Sequence, residues 1–479
     1  MADAFSRGAE LYRDVADTNP PLIVLLNLPP VWASHISGWP VVWCFRAWVS
    51  ALSLVSLTAA SCLIESGWAD TPVLVRRTLV TVLVFALFPL VGGDFGQREH
   101  LALILSLPWL LLSVGRFAGA QYTTATGLVV GVCAGVGLSL KPQLFAALIL
   151  VEAGYTIRRP ACKPWRRPET LGVASVIVMY VVGTVLFLPS FWVTFATVRT
   201  LYPRLNPPLS YVIRVADLPV WASAAAVFAL VRVRSSDAAR LGAVLLIGFG
   251  FLVAAVGQLK GWTYHFYPAR SVLWLFTSAT LLAATLDPRL AERQKGLSSL
   301  VARLIVVGLL AASAHYAFEA RRSPAADEVT PLLDLVKREA RNRPMFLMST
   351  ALVYPAFPLV IYAGAGWSSR HNSLWFLRAE YADEFNAGFG EVAFRRPAQM
   401  PALERRLFNE VIDDLCRTPP ALLIVETPMR RRPHGSSRLD FLAYYSQSAR
   451  FSRLFAHYAE SARVRNFTIF KAGERRACD

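Results

Sequence analysis

At 479 residues, 55% of them hydrophobic and 17% charged, with a mean hydropathy of +0.43, the chain is too apolar for a soluble protein, where about a quarter of residues are charged. Its formal charge of +17 does not point to nucleic acid, because the basic residues fall in short loops between apolar stretches. The six cysteines constrain little: Cys44, Cys62 and Cys133 lie in apolar segments and read as core residues.

In chain order, residues 1–20 are polar, with Asp3, Glu10, Asp14 and Asp17 set against Arg7 and Arg13, and show neither a signal peptide nor a leading transmembrane helix. Residues 20–37 are apolar but interrupted by prolines, which predicts an interfacial helix rather than a span. A spanning helix needs about 20 mostly apolar residues. Segments 41–63, 74–92, 100–116, 122–140, 143–157, 170–189, 217–232, 240–258, 269–286 and 298–315 come close to that. The reading is a polytopic α-helical membrane protein of about ten transmembrane helices. From residue 319 the composition turns mixed, with a β-type run at 421–425 and an amphipathic stretch at 330–341. The expected domains are therefore 1–40 (outer-face loop and interfacial helix), 41–318 (transmembrane) and 319–479 (a soluble α/β domain).

Basic loops alternate with less biased ones. Arg76, Arg77, Arg116, Arg158, Arg159, Lys163, Arg166, Arg167, Arg232, Arg234, Arg240, Arg289 and Arg293 share one predicted face, the cytoplasmic one by the positive-inside rule. Loops 93–99, near 141, 189–216, 259–268 and the C-terminal domain then lie outside, in a bacterium on the periplasmic side of the inner membrane. There Cys416 and Cys478 are able to pair, which separation in sequence alone does not show. The run Arg430–Arg432 reads as a solvated loop.

Ionisable residues near hydrocarbon are costly and need a reason to be there. Four places qualify, all on the predicted outer face. Asp3, followed by Tyr12, Asp17 and Asn19-Pro20-Pro21, offers a carboxylate that could deprotonate an acceptor, although its residue chemistry by itself favours a solvated terminus. Gly92-Gly93-Asp94-Phe95-Gly96-Gln97-Arg98-Glu99-His100 packs polar side chains at the head of an apolar helix. Arg98 and His100 suit a phosphate oxygen, and Glu99 suits a base or an acceptor-orienting group. Gly131, Gly135 and Gly137 permit close helix packing and lead to Lys141, either a snorkelling cation or a partner for a leaving phosphate. Lys260, Trp262, Tyr264, His265 and Arg270 mix aromatic faces with cations. Membrane anchoring explains the aromatics; a sugar and its phosphate would also explain the charges. Seven histidines are scattered, and there is no HExxH, CxxC, DxD, Walker or GxSxG motif; no cofactor is implied, with a divalent cation left open.

The order of these motifs resembles the GT-C superfamily of polyprenyl-phosphate-sugar-dependent glycosyltransferases, in the branch of the aminoarabinose transferase and the protein mannosyltransferases. Asp3-Ala4-Phe5 through Asn19-Pro20-Pro21-Leu22 looks like that family's first outer loop. Glu99 resembles its second outer acid, and Gly131 to Lys141 its glycine-spaced helix ending in lysine. Two departures stand out: the family's first helix is missing, and Asn19 stands where a lysine often does. The resemblance implies an inverting transfer with Asp3 as general base, assisted by Glu99, and with Lys141, Arg98 and Lys260 on the carrier phosphate. Asn19, His100, Trp262, Tyr264, His265 and Arg270 complete the candidate substrate contacts. The implied partners are a polyprenyl-phosphate-linked sugar donor, membrane lipids and a glycan, lipid or protein acceptor, with no nucleic acid. The 189–216 loop (Arg199, Tyr202, Arg204, Tyr211) would cover the cavity.

Two rival classes remain at this level. A transporter or flippase of lipid-linked sugars would spread polar residues through the spans, whereas here they collect at one face. A non-catalytic scaffold of an envelope polysaccharide complex gains if Asp3 cannot reach Glu99.

Overall fold

The computed structural model describes residues 1–160, 163–231, 233–286, 294–321, 324–351, 354–386, 391–427, 439–473 and 478. Arg232, Arg289, Arg293 and the run Arg430–Arg432 lie outside these. The chain opens with three helices, α1 (Ala2–Ser6), α2 (Leu22–Leu26) and α3 (Leu28–Ser37). Pro29 and Pro30 stand in the first turn of α3, where a missing N–H costs nothing, and Gly38 ends it in the left-handed region (φ 72°). Trp32, Ile36 and Trp39 are left exposed along it.

Each of the ten apolar segments becomes helical: α4 (Val41–Gly67), α5 (Val73–Leu87), α6 (Arg98–Phe117), α7 (Thr124–Ser139), α8 (Phe145–Arg158), α9 (Pro168–Phe187), then, after α10 (Pro189–Leu201) and α11 (Leu209–Val215), α12 (Leu218–Leu230), α13 (Ser235–Gly257), α14 (Tyr267–Ala284) and α15 (Gln294–Arg321). They differ in length. Among the described residues, five are long and apolar enough to cross a membrane alone (α4, α6, α9, α13 and 296–319 of α15), and the bent pair α11–α12 makes a sixth. At 15 residues, α5 reaches only about 22 Å. The longer helices around it carry the depth. The 189–216 region, expected as a loop, is mostly helix: α10 lies at the site face and α11 starts the bent span.

Glycines set the packing of α7. A Cβ on Gly131 would meet the Glu169 carbonyl oxygen of α9 at 2.2 Å, and one on Gly137 would meet the Ala102 carbonyl oxygen of α6 at 2.9 Å. The small-residue spacing thus places α7 directly against both neighbours.

At the end of the bundle away from the site, the basic residues do not stand alone. Arg116 pairs with Glu169 (2.8 Å), Arg240 with Asp237 (2.9 Å) and Asp70, Arg234 with Asp237 (2.7 Å), and Arg167 with Glu152. They sit at one end of the bundle, as the alternation of loops predicts.

The chain then builds an α/β layer from α16 (Pro324–Glu339), α17 (Ala356–Ala363), α18 (Trp375–Glu380), α19 (Ala382–Asn386), α20 (Ala402–Arg417), α21 (Phe441–Tyr445), α22 (Ala449–Phe455) and five strands. These are β1 (Pro344–Met348), β2 (Gly366–Trp367), β3 (Leu422–Glu426), β4 (Tyr458–Val464) and β5 (Phe467–Ala472), in sheet order β2-β1-β3-β5-β4. β1 runs parallel to β2 and β3, while β5 is antiparallel to β3 and β4. Alternation along the strands sends residues to two cores. Met345, Leu347, Leu422 and Ile424 face α16 and α17, while Phe346, Met348, Leu423 and Val425 face α20. Cys416 and Cys478 form a disulfide, tying the end of the chain to α20.

Candidate active site

The site forms where the loop before α6, the turn after α7, the loop between α13 and α14, and α10 meet. Glu99, in the first turn of α6, is only 1% exposed and pairs with the Lys141 ammonium that follows α7. His265 Nε2 approaches the same carboxylate oxygen at 3.8 Å. Burial, with Lys141, Arg98 and Lys260 nearby, lowers the His265 pKa to about 2, so its imidazole is neutral. Among the described residues, Glu99 Oε2 and His265 Nδ1 are buried without a hydrogen-bond partner. Two unsatisfied polar atoms on neighbouring side chains leave bonding capacity that a ligand could complete.

Around this pair the charges are unevenly matched. Lys260 is 3% exposed; its Nζ donates to the Tyr202 carbonyl oxygen (2.5 Å) and sits 3.9 Å from the Tyr202 ring centroid. Burial holds its pKa down to about 8. Among the described residues no carboxylate lies within 4 Å of Lys260 or Arg98, although Arg98 acts electrostatically on Asp17, Lys141, Tyr202 and Tyr264. Asp94 is lifted to about 6 by burial and by Glu99. Trp262 stacks on Tyr264 (5.6 Å) and meets Tyr202 edge-on (6.1 Å), and Tyr202 in turn meets Trp375 (6.0 Å). A row of aromatic rings therefore runs from the membrane helices to the C-terminal layer.

The sequence expectations divide here. Glu99, Arg98, Lys141, Lys260, Trp262, Tyr264 and His265 come together as one cluster. Four other expectations are corrected. Asp3 points away: it pairs with Arg7 (3.2 Å) and with His35 of α3 (2.8 Å), and its side chain is 52% exposed. His100 is fully buried, its Nδ1 accepting from the Gly96 N–H (3.0 Å) and its Nε2 donating to the Leu87 carbonyl (2.9 Å), so it ties the loop rather than a phosphate. Arg270 spends its guanidinium on Asp217 (2.6 Å) and the Val215 carbonyl (3.2 Å), holding the α11–α12 bend. Asn19 does not face the cluster as a phosphate contact; its amide donates to both oxygens of Asp17, at 3.2 and 3.1 Å.

That last contact identifies the residue that sequence reading passed over. Asp17 lies within electrostatic reach of Arg98 and of Tyr202. Burial raises its pKa above the ordinary range, against the Asn19 hydrogen bond and the pull of Arg98. Its segment is braced from both sides. The Tyr12 hydroxyl donates to the Asn19 carbonyl (2.6 Å), and the Ala16 N–H donates to the Arg370 carbonyl (2.7 Å). The available signal was the Asp17-Thr18-Asn19 turn ahead of Pro20-Pro21, since an aspartate two residues before a donor is a common local clamp. Among the described residues no group of three or more His, Cys, Asp and Glu could hold a metal ion.

No family model and no curated protein sequence matches the chain. Solved structures do. The chain superposes on ArnT from Cupriavidus metallidurans in the apo state with a TM-score of 0.52 at 12% identity, covering 99% of this chain and 93% of that one. Against ArnT from the same organism bound to undecaprenyl phosphate the TM-score is 0.51 at 10% identity, covering 99% and 92%. This chain has the ArnT fold. The architecture expected from the sequence, a bundle of apolar helices followed by an α/β layer, is the one shared with ArnT.

Proposed function

We propose that this chain is an integral-membrane glycosyltransferase that moves a sugar from a polyprenyl-phosphate donor to an acceptor hydroxyl or amine on the non-cytoplasmic face. One observation carries the reading: Asp17, a carboxylate made more basic by burial, stands within reach of the unpaired Arg98 beside the Glu99–Lys141 pair. A base with a cation within electrostatic reach is what a single displacement at a phosphate-activated sugar needs. The ArnT structure with undecaprenyl phosphate supports a polyprenyl carrier.

In this mechanism Asp17 takes the acceptor proton as the acceptor oxygen or nitrogen bonds to C1 of the sugar. The C1–O bond breaks, and its electron pair leaves on the polyprenyl phosphate. Arg98 and Lys260 stabilise the developing phosphate charge. Glu99 Oε2 and the neutral His265 bind sugar hydroxyls, and Trp262 and Tyr264 face the ring. Lys141 holds the Glu99 carboxylate in place. The disulfide between Cys416 and Cys478 suits an oxidising compartment and supports placing the C-terminal layer outside, opposite the basic face.

The test uses protein purified into nanodiscs. Undecaprenyl phosphate binds the wild type, and Arg98→Ala and Lys260→Ala each weaken binding about tenfold, roughly 1.4 kcal/mol. Absence of binding by the wild type, or binding by both variants as tight as the wild type's, overturns the assignment. A transporter would need polar groups through the spans, yet the titratable cluster gathers at one end of the bundle.

A further inference from the structure

Beside Asp17 lies a cavity of about 250 Å³ between the N-terminal segment, α10 and the C-terminal layer, with neither Glu99 nor Arg98 in its lining. Pockets that hold drug-sized ligands measure roughly 300–1,000 Å³, so this space suits one small ring. Its charge state contrasts with that of the Arg98–Lys260 half. Every arginine on the cavity wall is already matched: Arg13 to Glu10 at 2.8 Å, Arg370 to Asp414 at 2.9 Å, and Arg406 to Glu410 at 3.8 Å. Arg406 also donates to Thr197 Oγ1 (2.6 Å), and His371 meets Glu410 at 3.0 Å. A phosphate entering here would find no unmatched arginine on the cavity wall and would stand close to Asp17 and Glu410. A neutral polyhydroxylated ring would find hydroxyl, carboxylate and imidazole partners, with Trp375 as an aromatic wall.

We infer that this cavity is the acceptor subsite and that it takes a neutral pyranose ring at the end of a glycan, presenting one hydroxyl to Asp17. The inference rests on the transferase reading and adds the acceptor class to it. The row Trp375–Tyr202–Trp262 divides the two halves, with the acceptor sugar on one side of Tyr202 and the donor sugar on the other. In the transfer, the hydroxyl oxygen bonds to donor C1, its proton passes to Asp17, and the polyprenyl phosphate leaves with the C1–O electron pair.

Saturation-transfer difference NMR on the full-length protein in detergent tests this with glucose, galactose, mannose, glucose 6-phosphate and a serine/threonine peptide as probes. At least one neutral hexose is expected to give signals that glucose 6-phosphate and the peptide do not. Thr194→Leu fills the cavity from the half-buried face of α10 and should reduce those signals at least fivefold. Glu410→Gln should weaken them, and Asp3→Asn, at the solvent-exposed pair with Arg7 and His35, should leave them unchanged. Undecaprenyl phosphate binding, measured on the same samples, should be unaltered in Thr194→Leu and reduced in Arg98→Ala. Preference for glucose 6-phosphate or for the peptide overturns the inference, as does silence from every hexose. Loss of undecaprenyl phosphate binding in Thr194→Leu would assign the cavity to the donor. Failure of the transferase reading itself shows separately, as absence of undecaprenyl phosphate binding in the wild type.

Discussion

Two aspartates fourteen positions apart show how much a side chain's role depends on its neighbours. Asp3 shares its carboxylate between Arg7 and His35 in solvent, whereas Asp17 is held by Asn19 and by a backbone braced against the C-terminal layer. We therefore expect Asp17→Asn to lower transfer by about 10²- to 10⁴-fold, the usual worth of a general base, with undecaprenyl phosphate binding retained. Asp3→Asn should stay within about twofold, a surface ion pair being worth little. A transfer assay on both variants, with donor binding measured in parallel, decides the matter. The sign of the pH dependence follows from the same burial. A base works only when deprotonated, so raising the Asp17 pKa moves the acid limb of the rate profile upward from the ordinary carboxylate range. Lys260 sets an opposite limb. Its pKa of about 8 means that its charge fades as pH rises through 8, so phosphate affinity should fall between pH 7 and 9. Lys260→Arg, charged throughout, should hold affinity flat over that range.

At the scale of elements, the helices were legible because a run of apolar residues is a local property. Their lengths were less so: Pro72 and the turn at 88–97 cut α5 short, and the segment read as a surface loop folded into α10 because Leu201 is buried against the C-terminal layer. The glycine spacing in α7 was read correctly as a packing device. Gly131→Val should push α7 off α9 at the Glu169 carbonyl and cost about 1–3 kcal/mol as overpacking. The check is a lowered thermal midpoint in detergent, with Gly308→Val, where no atom lies within 4 Å, as the unaffected control.

At the scale of the whole molecule, the C-terminal layer packs against the segment that carries Asp17. Arg370 accepts the Ala16 N–H on its carbonyl while Asp414 holds its backbone N–H (2.8 Å) and its guanidinium (2.9 Å), so α20 steadies the segment that carries Asp17. The disulfide closes a loop spanning 62 positions, which in the chain-entropy account is worth about 4 kcal/mol. Cys416→Ser/Cys478→Ser should therefore lower the midpoint of unfolding of this layer under non-reducing conditions, leaving the wild type under strong reductant to match it. Agreement of the two midpoints confirms the bond's contribution; an unchanged double variant refutes it.

The sequence by itself determined the apolar helices, the α/β character of the C-terminal part, the common end at which the candidate loops lie and most of the cationic and aromatic residues that gather around Glu99. Each of these follows from apolar runs, alternation and loop composition, which act over a few turns of chain. Only the tertiary structure decided which acid stands in the cavity, that His100 and Arg270 are tied up in backbone and ion-pair contacts, and that Cys416 meets Cys478. Those outcomes depend on contacts between residues up to hundreds of positions apart, such as Ala16 with Arg370, and no local pattern specifies them.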